Sequence, residues 1–142
     1  MPGMDAASGL ADLRRAEALS PKLLYAVDAR LTPSSPVTDI ARLTSLTAAA
    51  VAEGRGHVLD TSSVIFPNGA ITLVVILAES HLSIHTWPED NLIAIDLFSC
   101  GAIDGEAVIS GLTRSLQLEA VSVRRLSRGA VPRAPEAGRN DR

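Results

Sequence analysis

Residues 71–78 read Ile-Thr-Leu-Val-Val-Ile-Leu-Ala, an apolar run broken only by Thr72 and rich in β-branched side chains. Successive side chains of a strand point to opposite faces, so a half-exposed strand alternates apolar with polar residues. A run without that alternation fits a central strand covered on both faces. It is far shorter than the ~20 residues a membrane-crossing helix needs. Pro67-Asn68-Gly69 turns the chain just before the run, and Glu79-Ser80-His81 ends it with polar groups. Any fold for this chain must therefore set the strand inside a sheet and cover both of its faces.

The flanking sequence supplies the rest of that sheet. Residues 22–31 are apolar between proline-containing stretches and predict a first strand, and 57–66 predict a strand that pairs with 71–78 as a hairpin. Between them Ile40, Leu43, Leu46 and Ala50 recur at helical spacing, with Ser35 or Thr38 available as N-cap and Gly54 as the stop. Pro88-Glu89-Asp90-Asn91 reads as a turn into a strand at 92–98. Asp104 can cap a second helix to about Leu116, burying Ala107, Ile109, Leu112 and Leu116, before a last strand at 121–126.

This order predicts an α+β fold, a two-layer sandwich in which two helices cover one face of an antiparallel sheet. One helical layer leaves the second face of 71–78 open. A second copy of the chain is the simplest cover, giving a larger αββα sandwich and a homo-oligomer that is at least a dimer. Residues 1–20 are expected to be a flexible N-terminal extension and 21–126 the folded domain. Residues 127–142, mostly Arg, Pro, Gly and Ala, are expected to form a disordered tail.

Composition narrows the partners. A formal net charge of −3 gives no surface for phosphates, so nucleic acid is not expected. No membrane segment or signal-peptide core is visible, and a cytoplasmic location is the expectation. Cys100 is the single cysteine, which excludes an intrachain disulfide and leaves either a buried apolar side chain or a reactive thiol. His81 and His85 stand four apart, ~13 Å on a strand, too far to share one ion, so no metal is expected.

The chemistry concentrates where the apolar run stops. A serine hydroxyl can attack the carbonyl of the preceding residue when the backbone holds it there, exchanging the peptide for an ester. Elimination then breaks the chain between Glu79 and Ser80 and leaves dehydroalanine, which loses ammonia to become a pyruvoyl group at a new N-terminus. The step needs a donor for the oxyanion and a proton shuttle that works near neutral pH, a task that suits histidine; His85 is the candidate. Ser80 and His85 differ by an odd number and would face opposite sides of an ideal strand, so the chain must bend or end near Ser80.

Glu79, Ser80, His81, His85, Thr86, Trp87, Pro88, Glu89, Phe98, Cys100 and Gly101 stand in an order and spacing that resemble the active-site segment of the prokaryotic S-adenosylmethionine decarboxylases. The resemblance implies self-cleavage at Glu79-Ser80 and a pyruvoyl cofactor on Ser80 that takes the substrate amine as a Schiff base. It further implies that His85 assists processing and that Cys100 protonates the product carbanion. Glu89 would bind the substrate ribose and Phe66 would stack on its adenine. The family decarboxylates S-adenosylmethionine, a small-molecule substrate, to supply aminopropyl groups for spermidine. Family members usually carry Tyr-Gly after the Trp-Pro-Glu, where this chain has Asp90-Asn91, and a serine in the run before the central strand, which Thr72 can replace. A carboxylate at Asp90 leaves arginine or ornithine as an alternative substrate for the same machinery, and an uncleaved homologue that only binds a partner as a further alternative.

Overall fold

The computed structural model describes residues 21–132. The chain runs through β1 (Lys22–Arg30), α1 (Ile40–Glu53), β2 (Val58–Ile65), β3 (Ile71–Leu77), β4 (Ser80–Trp87), a 3-10 turn (Pro88–Asp90), β5 (Leu92–Ser99), α2 (Gly105–Ser115) and β6 (Glu119–Arg128). The strands form one sheet in the order β2-β3-β4-β5-β1-β6. All five neighbouring pairs are antiparallel. This is the α+β sandwich expected from the element order, with one strand more than the reading supplied.

The additional strand is β4. Leu82, Ile84 and Thr86 alternate inward along it, and the outward positions carry His81, Ser83 and His85. Pairing settles its place: Ile84 lies opposite Leu73 of β3 on one side and Ile95 of β5 on the other. β3 has a neighbour on each side but is second from the edge, so β4 and β5 occupy the middle.

Both helices pack on one face. Leu43, Ala50 and Val51 of α1 and Val108, Ile109 and Leu112 of α2 share a core with Val27, Leu73, Val75, Leu82, Ile84, Ile95 and Leu97 of the sheet. Burying side chains of this size stabilises the fold by ~1.5–3 kcal/mol each. Gly111 lets the helices approach: a Cβ there would stand 3.3 Å from Ala50 Cβ and 2.8 Å from Glu53 Oε2. Asp39 caps α1 through the backbone N–H groups of Ala41 and Arg42, in place of the expected Ser35 or Thr38. Ser35 is instead tied to Thr32 in the preceding turn. Asp104 caps α2 as expected.

Among the described residues, no element packs on the opposite face. Thr72, Val74 and Ile76 of β3 point that way, with Ile76 47% exposed, so burial alternates along β3 in the single chain. Trp87 and Leu126 are exposed large apolar side chains as well. β6 continues to Arg128, so Ser127 and Arg128 belong to the sheet and not to the tail expected from 127 onward. Residues 129–132 follow without regular structure, and the tail from 133 and the extension at 1–20 lie outside the described residues.

Candidate active site

Ser80 opens β4 directly after the two-residue turn Ala78-Glu79, with Leu77 as its partner across the hairpin. Two-residue hairpin turns favour types with positive φ at their central residues, which is why glycine and asparagine dominate them, yet neither Ala78 nor Glu79 has one. Here the positive φ, 132°, falls on Ser80 itself. A non-glycine residue holds such a conformation only where its surroundings over-determine it, and strain of that kind gathers at functional sites.

The surroundings are specific. Cys100, buried just past the end of β5, donates its backbone N–H to the Glu79 carbonyl oxygen at 3.0 Å. Its Sγ lies 3.1 Å from the same oxygen and donates to it. Ser80 Oγ stands 3.1 Å from that sulfur. A thiol has one hydrogen, and with that hydrogen on the carbonyl oxygen the Ser80 hydroxyl must be the donor to Sγ. A proton chain therefore runs from the Ser80 hydroxyl through the thiol to the carbonyl it would attack. Two donors on one carbonyl oxygen also form the arrangement that stabilises an oxyanion. The resemblance implied Cys100 only as a proton donor after cleavage; its place on the Glu79 carbonyl depends on Ser80 and Ser99 being cross-strand partners.

Glu79 is held from its other side too. Its side chain is buried, and Oε1 accepts from the His57 backbone N–H at 2.7 Å and from His57 Nδ1 at 2.9 Å. Oε2 is buried without a hydrogen-bond partner among the described residues. A contact spanning 22 positions leaves no local signal for His57 in the sequence.

The remaining expected residues gather at the far end of β4. His85 sits on the open face, opposite Thr72 in register, with Nδ1 at 3.2 Å from Thr72 Oγ1. The Trp87 ring is tilted against it at 6.2 Å between centroids. Phe66, Asn68, Thr72, His85 and Trp87 line an open cleft of about 530 Å³. Glu89 accepts from the Asn68 side chain, which ties its carboxylate to the same rim. Phe66 and Glu89, expected to bind the nucleoside, are thus neighbours of His85. Neither is brought to Ser80. Five residues of strand separate Ser80 from His85, roughly 16 Å at ~3.3 Å per residue, so one chain does not bring the two together. Asp90 lies elsewhere, in a shallow cleft with Asp28, Arg30 and Ser122. His81, next to Ser80, is exposed and stacks on Phe98 at 5.9 Å, with the Arg128 guanidinium 5.7 Å from the same ring.

Fold and site together define a two-layer α+β protein with a strained Glu-Ser linkage whose carbonyl is polarised from a neighbouring strand. Comparison with known proteins supplies the family. The family model for S-adenosylmethionine decarboxylase matches residues 24–129. The chain is 42% identical over 74 residues to S-adenosylmethionine decarboxylase proenzyme 2 of Bacillus cereus, covering 51% of this chain and 60% of that protein. It is 35% identical over 111 residues to the S-adenosylmethionine decarboxylase proenzyme of Picrophilus torridus, covering 75% of this chain and 79% of that protein. The crystal structure of adenosylmethionine decarboxylase from Aquifex aeolicus superposes with a TM-score of 0.67 over 82% of this chain and 97% of that one, at 24% identity, a likeness of fold. The chain belongs to the S-adenosylmethionine decarboxylase family.

Proposed function

We propose that this chain is made as a precursor, cleaves itself between Glu79 and Ser80, and decarboxylates S-adenosylmethionine to supply aminopropyl groups for spermidine. The observation that carries the reading is the Ser80–Cys100–Glu79 geometry, in which nucleophile, thiol and activated carbonyl meet at a backbone residue held in strain. Ser80 Oγ adds to the Glu79 carbonyl carbon while the Cys100 N–H and Sγ–H hold the developing oxyanion. The C–N bond then breaks to leave an ester on Ser80. Loss of the Ser80 α-proton expels Glu79 as a carboxylate and opens the way to a pyruvoyl group at position 80. The residues fit that cofactor: residue 80 lies beside a buried thiol at the edge of the core. When present, the group supplies an electron sink for carboxylate loss. Cys100, already within hydrogen-bond reach of residue 80, is placed to deliver a proton to the product carbon.

The open sheet face completes the reading. A second copy packed there would cover Ile76, Trp87 and Leu126. If the two chains lie head to tail across the pair, the Phe66–His85–Glu89 end of one copy meets the Ser80–Cys100 end of the other. His85 can then serve processing, and Phe66 and Glu89 can serve the nucleoside, across the pair. Asp90 lends no support to the arginine or ornithine alternative, since it lines a cleft other than the one lined by Phe66 and His85. Among the described residues no helix is long and apolar enough to cross a membrane. The test is carbon dioxide release from S-adenosylmethionine, arginine and ornithine in parallel. Release from S-adenosylmethionine alone is expected; release from arginine or ornithine alone overturns the substrate.

A further inference from the structure

The residue on the N-terminal side of the scissile bond is gripped from two directions. From β5 comes Cys100, whose backbone and thiol hold the Glu79 carbonyl. From the start of β2 comes His57, which makes three contacts with the turn. Its carbonyl accepts from the Ala78 N–H at 2.9 Å, its N–H donates to Glu79 Oε1 at 2.7 Å, and its ring Nδ1 lies 2.9 Å from the same oxygen. A carboxylate only accepts, so the ring must carry its proton on Nδ1. The His57 side chain is 57% exposed while that of Glu79 is 4% exposed, so the histidine meets an otherwise buried charge from outside. A carboxylate is costly to bury, the more so when one oxygen has no partner, as Oε2 has none among the described residues. Hydrogen bonds to such a charge are the strong ones.

We propose that His57 is a positioning residue for self-cleavage. By fixing the Glu79 side chain it fixes the plane of the Glu79 peptide group, and so presents the carbonyl carbon to Ser80 Oγ with its oxygen on the Cys100 donors. The positive φ of Ser80 stands directly after this clamped residue, a strained conformation of the kind that persists only where its surroundings hold it. His57 lies ahead of β2, and its hydrogen bonds run to Ala78 and Glu79, so it acts on the scissile bond through the turn that those two residues form. This inference rests on the self-cleavage reading above and assigns a second, independently testable device to it.

The experiment follows the rate at which freshly made full-length chain splits, by intact mass, for the wild type, His57→Ala, His57→Asn and Glu79→Gln. Asparagine can place an amide N–H near where Nδ1–H stood, and alanine cannot. His57→Ala is expected to split about 10- to 100-fold more slowly, the span a charge-assisted hydrogen bond can move a rate, with His57→Asn recovering most of the loss. Glu79→Gln is expected to slow splitting to a similar degree. The same His57 changes made on Ser80→Ala, which cannot split, report folding through the melting temperature. His57→Ala that folds and splits at the wild-type rate overturns the proposal, and so does His57→Asn that folds and remains as slow as His57→Ala. If His57→Ala does not fold, the His57→Asn rate alone decides, near wild type for the proposal and tenfold or more below it against. A wild type that never splits overturns the self-cleavage reading and this inference together, whereas a splitting wild type matched by His57→Ala overturns only the inference.

Discussion

At the Ser80 end of β4 the reacting groups are backbone atoms and short side chains, buried and tied to strands on either side, whereas at the Trp87 end they are large side chains on an open rim. Glu79 and Cys100 are buried, and the hydrogen bonds at that end leave Ser80 little freedom. Phe66, Trp87 and Glu89 are exposed, and the His85 ring touches only Thr72 and Trp87 among the contacts described. The difference follows from the tasks proposed. Breaking a bond in the chain itself needs geometry fixed before any ligand arrives, which packing and backbone pairing provide. Recognising a small molecule needs accessible faces and a carboxylate that the molecule can meet.

The largest expected effect breaks the buried end outright. Ser80→Ala removes the nucleophile and should leave a single uncut chain after prolonged incubation, as read by denaturing gel. Cys100→Ala keeps the backbone N–H on the Glu79 carbonyl and loses only the thiol. It should therefore split, at a reduced rate, but turn over about 10²–10⁴-fold more slowly once split, the usual contribution of a general acid. Turnover at the wild-type rate by the split Cys100→Ala protein would remove the thiol from the decarboxylation.

His85→Ala tests whether the two ends meet across a pair of chains. Alone it should slow splitting by about 10²-fold, and co-expression with Ser80→Ala should restore part of the splitting in mixed pairs. No restoration, with sedimentation showing a monomer, would leave the two ends of β4 unconnected. At the open rim, Phe66→Ala should weaken binding of the nucleoside substrate by ~1–3 kcal/mol if the ring stacks on the base, seen as a raised KM at nearly constant kcat. Glu89→Gln should show the smallest effect, a rise in KM of roughly tenfold or less, because the carboxylate is exposed and already shared with Asn68.

The two ends also differed in how far they could be read from the residues. Ser80 and Cys100 stood out because polar reactive types break an apolar pattern at a fixed spacing, and the structure brings them together. The element order read from the sequence omits the strand that joins the two ends, although Leu82 and Ile84 alternate with Ser83 and His85 as a half-exposed strand should. The cap of α1 was misplaced by one to four residues because Ser35, Thr38 and Asp39 are all capable types, and only the local turn decides among them. His57 gave no signal, since its bond to Glu79 is made by sheet pairing and not by sequence neighbourhood. The separation of His85 from Ser80 was legible only as an odd spacing, and the length of β4 turns that parity into a distance.

One measurement bears most directly on the central claim, intact mass spectrometry of the purified wild-type protein. The account predicts two chains, residues 1–79 and residues 80–142, with the second carrying a pyruvoyl group in place of Ser80 at its N-terminus. A single uncut chain with an ordinary serine at position 80, unchanged by long incubation, would contradict it.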